Sequence, residues 1–353
     1  MKHIYTHFIP QNIAPRGAKR ISVFSSNSTK ICTVPLGRLF PVTKSKLYSF
    51  GLISDIHLWK TESDWGGNAK FDNALTFFEK AGCDFCTHAG DITQTGLYDE
   101  GDEVTLQPAQ FENYKKICDN HKISVYGICG NHENYVMPIT NNLSELKHYT
   151  GTDLYYTLSQ GEDLFIFLGQ PQETQVINST MFQWLYQTLE SNRNKRCFVF
   201  IHSYIEEDSG DSKDVRENSI FEMWGETNKR AFMSLMSHYK NTILFHGHSH
   251  MKLKCQELDK NSNYTEKNGF KSVHIPSSAT PRDVDLTTKK SVDDRSASEG
   301  YKVDVYDDCI VLNGIDFIKS QIIPIGTYKI DTPIVTIEAN TFTDNTGVIT
   351  TYS

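Results

Sequence analysis

Five clusters along this chain carry side chains able to hold metal ions: Ser54-Asp55-Ile56-His57, Gly90-Asp91, Gly130-Asn131-His132-Glu133, His202 and Gly247-His248-Ser249-His250. Carboxylate, amide and imidazole ligands of this kind suit two hard or borderline divalent ions held side by side. In an Asp-x-His turn leaving a strand, alternate residues point the same way, so Asp55 and His57 can meet one ion. A carboxylate set between two metals can bridge them, and Asp91 is the natural candidate. Asn131 adds a neutral oxygen, which keeps negative charge low enough for an anionic phosphate to approach. Gly90 and Gly130 let the backbone come close to such a centre.

The elements that must present these clusters are visible as alternating patterns. Apolar strands are expected at Leu47–Ser54, Phe85–Ala89, Ser124–Cys129, Leu164–Leu168, Cys197–Ile201 and Thr242–His246. Helices are expected at Lys70–Ala81, Pro108–His121, Thr180–Ser191 and Thr227–Tyr239, the first with Phe71, Ala74, Leu75 and Phe78 on one face. This alternation predicts an α/β layered architecture. Each cluster then falls at the carboxyl end of a strand, where sites in such folds form. Later segments, Val273–Pro276, Gly300–Tyr306, Ile310–Leu312 and Phe317–Ile318, read as antiparallel strands closing a sheet. Ahead of this region, Ile21–Phe24 and Ile31–Val34 flank a polar link and predict a β-hairpin. Residues 1–47 thus form an arm or small β appendage, 48–318 the main domain, and 319–353 a β extension.

Composition narrows the partners. The 353 residues carry 35 Lys and Arg against 43 Asp and Glu, a net charge of -8, which leaves no basic footprint for long nucleic acid. A small or exposed phosphate ester remains compatible, since bound cations supply positive field. No stretch reaches the ~18 apolar residues of a membrane span, and the first residues lack a signal-peptide core. A cytoplasmic location is therefore expected. The eight cysteines are scattered, several within predicted strands, and read as buried free thiols; Cys83-x-x-Cys86 has no second pair at zinc-finger spacing.

The ordered set Asp55-x-His57, Gly90-Asp91, Gly130-Asn131-His132-Glu133, His202, Gly247-His248-x-His250 resembles the calcineurin-like metallophosphoesterases over residues 48–318. The resemblance implies a four-layer α/β/β/α sandwich and a dinuclear centre of Mn, Fe, Zn or Ni. It implies that Asp55, His57, Asp91 and His250 hold one ion and that Asp91, Asn131, His202 and His248 hold the other. It further implies hydrolysis of a phosphoric mono- or diester by a metal-bridging hydroxide, with His132 serving the leaving oxygen. Hydrolysis of a nucleotide pyrophosphate bond would use the same centre. A structural module carrying this fold, tethered through residues 1–47 to a larger assembly such as a virion, is the rival from another class.

Other residues invite weaker readings. Arg282, after a predicted strand, could grip phosphate bidentately or form a surface ion pair. Asn131 could also contact substrate, and Trp59, Trp65 and Tyr135 could line the way in or simply pack their loops. His88 and His246 lie inside strands and read as core or supporting residues. Glu206, Glu207, Asp208, Asp211 and Asp214 read as a solvated loop or a charged lid.

Overall fold

Alternate residues of the central strands face two different apolar layers. In β3 (Tyr48–Ile53) the residues Tyr48, Phe50 and Leu52 point one way, whereas Ile53 points the other. The same division holds in β7 (Asp163–Leu168), with Phe165 and Phe167 on one side and Leu164, Ile166 and Leu168 on the other. A strand buried on both faces has to be covered on both, and period-two alternation of apolar side chains specifies two covers. The computed structural model describes residues 20–24, 30–35, 45–61, 66–94, 103–135, 138–205, 226–257, 263–285 and 291–339.

Two six-stranded sheets result. The first contains β3, β4 (Phe85–His88) and β5 (Ser124–Gly127), mutually parallel, followed on the other flank by antiparallel β14 (Glu299–Val305), β15 (Cys309–Asp316) and β16 (Gln321–Asp331). The second sets β7, β8 (Cys197–Phe200), β9 (Thr242–His246) and β11 (Phe270–His274) in parallel, with antiparallel β6 (Tyr155–Gln160) and β10 (Tyr264–Lys267) at its edges. Between the sheets lies an aromatic layer in which Phe50 meets Phe165 edge-on at 5.2 Å and stacks on Phe85 at 5.5 Å. Each fully buried ring of this kind contributes ~1.5–3 kcal/mol of transfer free energy.

Helices close the outer faces. α1 (Gly67–Lys80) and α2 (Glu103–Asn120) cover the first sheet through Phe71, Leu75, Phe78, Phe111 and Tyr114. α4 (Ser179–Ser191) and α5 (Glu226–His238) cover the second through Phe182, Leu185, Phe232 and Leu235. The Asn178 side chain caps α4 by accepting from the Met181 amide at 2.9 Å. A short α3 (Leu143–Thr150) lies against α2. The architecture is therefore the four-layer α/β/β/α sandwich that the family resemblance implies, and it agrees with the α/β layering expected from the alternating pattern.

The expected hairpin appears as β1 (Arg20–Phe24) and β2 (Lys30–Pro35), an antiparallel pair of its own whose second strand runs beside β16. A small β12–β13 hairpin (Arg282–Val284 with Ser291–Asp293) follows β11. Pro108, expected to open its helix, sits inside α2, which begins earlier. The Gln321 segment joins the first sheet as edge strand β16. The cysteines placed among the described residues are free thiols, and most are buried. No helix among them is long and apolar enough to cross a membrane. Trp65 and the acidic run at 206–214 lie outside the described residues.

Candidate metal centre

All five clusters meet at the carboxyl ends of the parallel strands, three from the first sheet and two from the second. The loop after β3 is stitched to the loop after β4: the amides of Ile56 and His57 both donate to the Asp91 carbonyl, at 2.8 and 2.9 Å. Within Ser54–His57 the side chain of Ile56 is buried in the layer under α1, so Asp55 and His57 turn together to the other side. That turn requires unusual backbone. Asp55, His57, Asp91, His248 and His250 all have positive φ, between 46° and 74°, a region that L residues with a Cβ rarely occupy.

The two glycines singled out by the sequence are sterically required. At Gly90, φ is 101° and a Cβ would stand 2.8 Å from Nδ1 of His202. At Gly130 a Cβ would stand 2.2 Å from Oδ1 of Asp91.

The side chains fall into two groups that share Asp91. One is Asp55, His57, Asp91 and His250; the other is Asp91, His202 and His248, and within each group the ligand atoms lie within 4.8 Å of one another. Nε2 of His57 is 3.0 Å from Nε2 of His250, which is 3.2 Å from Oδ1 of Asp55. In the second group, Nε2 of His202 lies 3.2 Å from Oδ2 of Asp91, 3.2 Å from Nδ1 of His248 and 2.9 Å from Oδ1 of Asn131. Asn131 thus joins the second group as a neutral oxygen.

Lone pairs converge here, and the outer nitrogens show why. Nδ1 of His202 donates to the Ala89 carbonyl at 2.7 Å, and Nδ1 of His250 faces the Thr280 carbonyl and hydroxyl at 3.1 and 2.8 Å. A neutral imidazole with its proton on Nδ1 turns a bare Nε2 lone pair inward. Buried acceptors facing acceptors repel unless a cation or a proton lies among them. The donor set of carboxylate, imidazole and amide oxygen therefore fits two borderline divalent cations.

Electrostatics hold Asp55, Asp91, His57 and His248 as acceptors. Burial pushes the Asp91 carboxyl up, but His202, His132 and His57 outweigh it and hold the group well below the usual carboxylate range. Asp55 is likewise lowered against its burial, chiefly by His250. Burial followed by the neighbouring imidazoles keeps His57 and His248 neutral, His248 down to about 3. His202 goes the other way: despite burial, the charge of Asp91 pushes it up to about 9.

His132 stands beside the two groups and belongs to neither. Its Nδ1 faces the Gln94 carbonyl at 3.1 Å, and its Nε2 is 3.8 Å from Oδ2 of Asp91. Tyr135 packs on it with ring centroids 4.6 Å apart, and the Tyr135 hydroxyl accepts from Nδ2 of Asn131 at 2.6 Å. Arg282 reaches the centre through its backbone, its amide donating to the His250 carbonyl at 2.7 Å. Its guanidinium pairs with Asp293 at 3.0 Å, the ion-pair alternative of the sequence reading. His88 is buried against the Tyr114 hydroxyl at 3.0 Å and enters neither group. Trp59 is held through its backbone by Asn68.

Several supports escaped the sequence reading. Glu133 accepts from the amides of Gly130 and Thr93 at 2.6 and 2.8 Å, tying the loops after β4 and β5 together, and burial followed by Asp91 raises its carboxyl to about 7. Ser277 donates to the Asp55 carbonyl at 2.9 Å and accepts from the Thr280 amide at 2.8 Å. Buried Lys70 donates to the carbonyls of Ala279 and Arg295. His274 meets the Ser249 hydroxyl at 2.6 Å, between His248 and His250 of that loop. Glu133 stands within the Gly130–Glu133 cluster, where its residue type names no partner; the hydroxyls and turn-forming residues of Ser277-Ser278-Ala279-Thr280 are the signal that could mark the other support.

Similar folds are known. A dimetal phosphatase from Danio rerio superposes with a TM-score of 0.58 at 14% identity, covering 82% of this chain and 100% of that one. The phosphoesterase Yfce from E. coli aligns at 11% identity over 80% of this chain and 99% of its own, with a TM-score of 0.36. A comparison with curated protein sequences returns no match. The profile described as calcineurin-like phosphoesterase matches residues 48–252, more than half of the chain, and this protein therefore belongs to that family of phosphoric-ester hydrolases.

Proposed function

We propose that this chain hydrolyses a phosphoric mono- or diester of a small or exposed substrate, using two divalent ions. Asp55, His57, Asp91 and His250 would hold one ion, and Asp91, Asn131, His202 and His248 the other. The observation that carries this reading is the sharing of Asp91 by two buried groups of converging acceptors. When bound, such ions activate water for attack at neutral pH and neutralise charge on the phosphoryl oxygens.

The chain's own residues do the rest. The strained backbone at Asp55, His57, Asp91, His248 and His250 fixes the acceptors before any ligand arrives, so little reorganisation accompanies binding. Asp91 is held ionised by the imidazoles around it. His132 has Nδ1 committed to the Gln94 carbonyl, which leaves Nε2 to face the reacting groups. Burial lowers its pKa, with Asp91 opposing. It donates to the leaving oxygen as imidazolium, a state that the negative charge of an incoming phosphate ester favours.

The test is direct. The purified chain, loaded with Mn²⁺, Ni²⁺ or Zn²⁺, is assayed on bis-(p-nitrophenyl) phosphate and p-nitrophenyl phosphate; the preferred compound separates diesterase from monoesterase. Two bound ions without turnover under any metal would sink the proposal. His132→Ala should lower kcat ~10²–10⁴-fold with both ions retained. Loss of both ions in that variant would move His132 into the ligand set.

A further inference from the structure

We infer that Tyr135 is a positioning residue for the second cation, acting through the side-chain amide of Asn131. This rests on the two-ion reading above. An asparagine can serve a cation through Oδ1 alone, because the other end of the amide carries two N–H donors. The two ends have nearly the same shape, so something besides packing must hold Oδ1 inward while a cation is bound. In this structure Nδ2 of Asn131 donates to the Tyr135 hydroxyl at 2.6 Å, and Oδ1 on the opposite end lies 2.9 Å from Nε2 of His202. Asn131 is buried, so an Nδ2 without an acceptor could not turn to water instead.

The chain places the tyrosine for this task. Asn131 leads directly into the 3-10 turn His132–Asn134, and Tyr135 closes that turn with its amide on the His132 carbonyl. The turn is itself anchored: Asn134 donates to the carbonyls of Gly130 and Gln170, and the Glu133 carboxylate grips the amides of Gly130 and Thr93. The phenol oxygen therefore stands at a fixed place relative to Asn131. Burial followed by the Asp91 charge raises the Tyr135 hydroxyl, which keeps it a neutral acceptor across the working range. The ring contact with His132 is a separate matter, since a phenylalanine would preserve it.

The experiment is a Mn²⁺ titration of the full chain and of Tyr135→Phe, followed by calorimetry and by the paramagnetic signal of exchange-coupled Mn²⁺ pairs. Removing the hydroxyl keeps the ring on His132 and strands Nδ2. The second Mn²⁺ should bind about tenfold more weakly, the lower end of the effect of outer-shell partners on metal affinity. The first Mn²⁺, held by Asp55, His57, Asp91 and His250, should bind as before. The coupled-pair signal should then need correspondingly more Mn²⁺ to saturate. Equal affinity for both ions in the two proteins overturns the inference. So does equal weakening of both ions, which would mark a general loosening of the loop. If the unaltered chain binds fewer than two Mn²⁺ ions, the two-ion reading itself fails. Tyr135→Leu separates ring from hydroxyl: it should weaken the second ion as Phe does and lower turnover further through His132. A second-ion affinity for Leu at the level of the unaltered chain would also overturn the proposal.

Discussion

The two ends of the sandwich both bury charge, and they do so in opposite ways. At the end away from the clusters, Asp163 receives the Tyr48 hydroxyl at 2.5 Å and Arg196 through Nε at 3.0 Å and Nη2 at 2.5 Å. The remaining Arg196 nitrogen, Nη1, gives to the Tyr306 carbonyl at 2.7 Å and the Thr332 hydroxyl at 3.0 Å. Donors there meet acceptors, and the network ties β3, β7, the β14–β15 turn and the chain after β16 together. At the other end, groups that can all accept converge, as Nε2 of His57 and Nε2 of His250 do at 3.0 Å, and among the described residues no fixed donor from the surrounding backbone separates them. Among the described residues, five of the seven non-glycine positions with positive φ belong to that end. Burial of charge is thus no mark of function by itself. Unpaired convergence on strained backbone is, because a fold tolerates both only where something else stabilises them.

The largest effects should separate the ends. Asp91→Asn keeps the shape and the acceptor for the His132 amide but removes the shared charge. Turnover should fall ~10²–10³-fold, the range for losing one preorganised electrostatic group. Bound metal, counted by atomic absorption after dialysis, should fall below one ion per chain. An Asp91→Asn protein that retained two ions would break the contrast at the site end. Arg196→Met is the mirror experiment. Stranding a buried carboxylate costs ~3–5 kcal/mol, read as a lower denaturation midpoint, while kcat per folded molecule stays within about twofold. A folded Arg196→Met protein with lost turnover would show that the two ends are coupled.

Protons supply a finer test. Without a cation among the acceptors, a proton on His202 relieves their repulsion, and the charge of Asp91 pushes its pKa up to about 9 against the effect of burial. A ligand nitrogen must lose that proton before it can bind metal. Below about pH 9 the second ion should therefore bind ~10-fold more tightly for each unit of rising pH, and the gain should level off above it. Calorimetry in buffers of different ionisation enthalpy would count the released proton. A second-ion affinity independent of pH between 6 and 8 would contradict the arrangement around His202.

Much of this was legible in the sequence, for identifiable reasons. Doubly buried strands such as Phe165–Leu168 and Cys197–Phe200 declare themselves by continuous apolar runs, and the ligand clusters by residue type and order. What stayed hidden were the partners that hold the ligands. His274 and Lys70 act from elements distant in the chain, and nothing in their neighbourhoods marks the carbonyl or hydroxyl they reach. The backbone carbonyl of Gln94, which orients His132, has no sequence signature at all. Edge strand β6 lacks the continuous apolar run of the inner strands: Tyr156 and Leu158 alternate with exposed Thr157 and Ser159, and no side chain in it is fully buried.

The smallest predicted effect probes those hidden partners. Nδ1 of His250 has two acceptors, the Thr280 hydroxyl at 2.8 Å and the Thr280 carbonyl at 3.1 Å. Thr280→Val preserves shape and removes the hydroxyl. The carbonyl can still take the proton, so the tautomer that turns Nε2 inward survives, though with a longer hydrogen bond. Losing a sole outer-shell partner weakens metal binding ~10–100-fold; with a second acceptor in reserve, the first ion should weaken by about fivefold or less. The second ion, proposed to bind His202, whose Nδ1 is fixed by the Ala89 carbonyl, should be untouched. A competition titration against a metal indicator resolves that difference. A loss beyond about a hundredfold would mean that the carbonyl cannot substitute, and that the strained loop carrying His248 and His250 depends on the hydroxyl for its conformation.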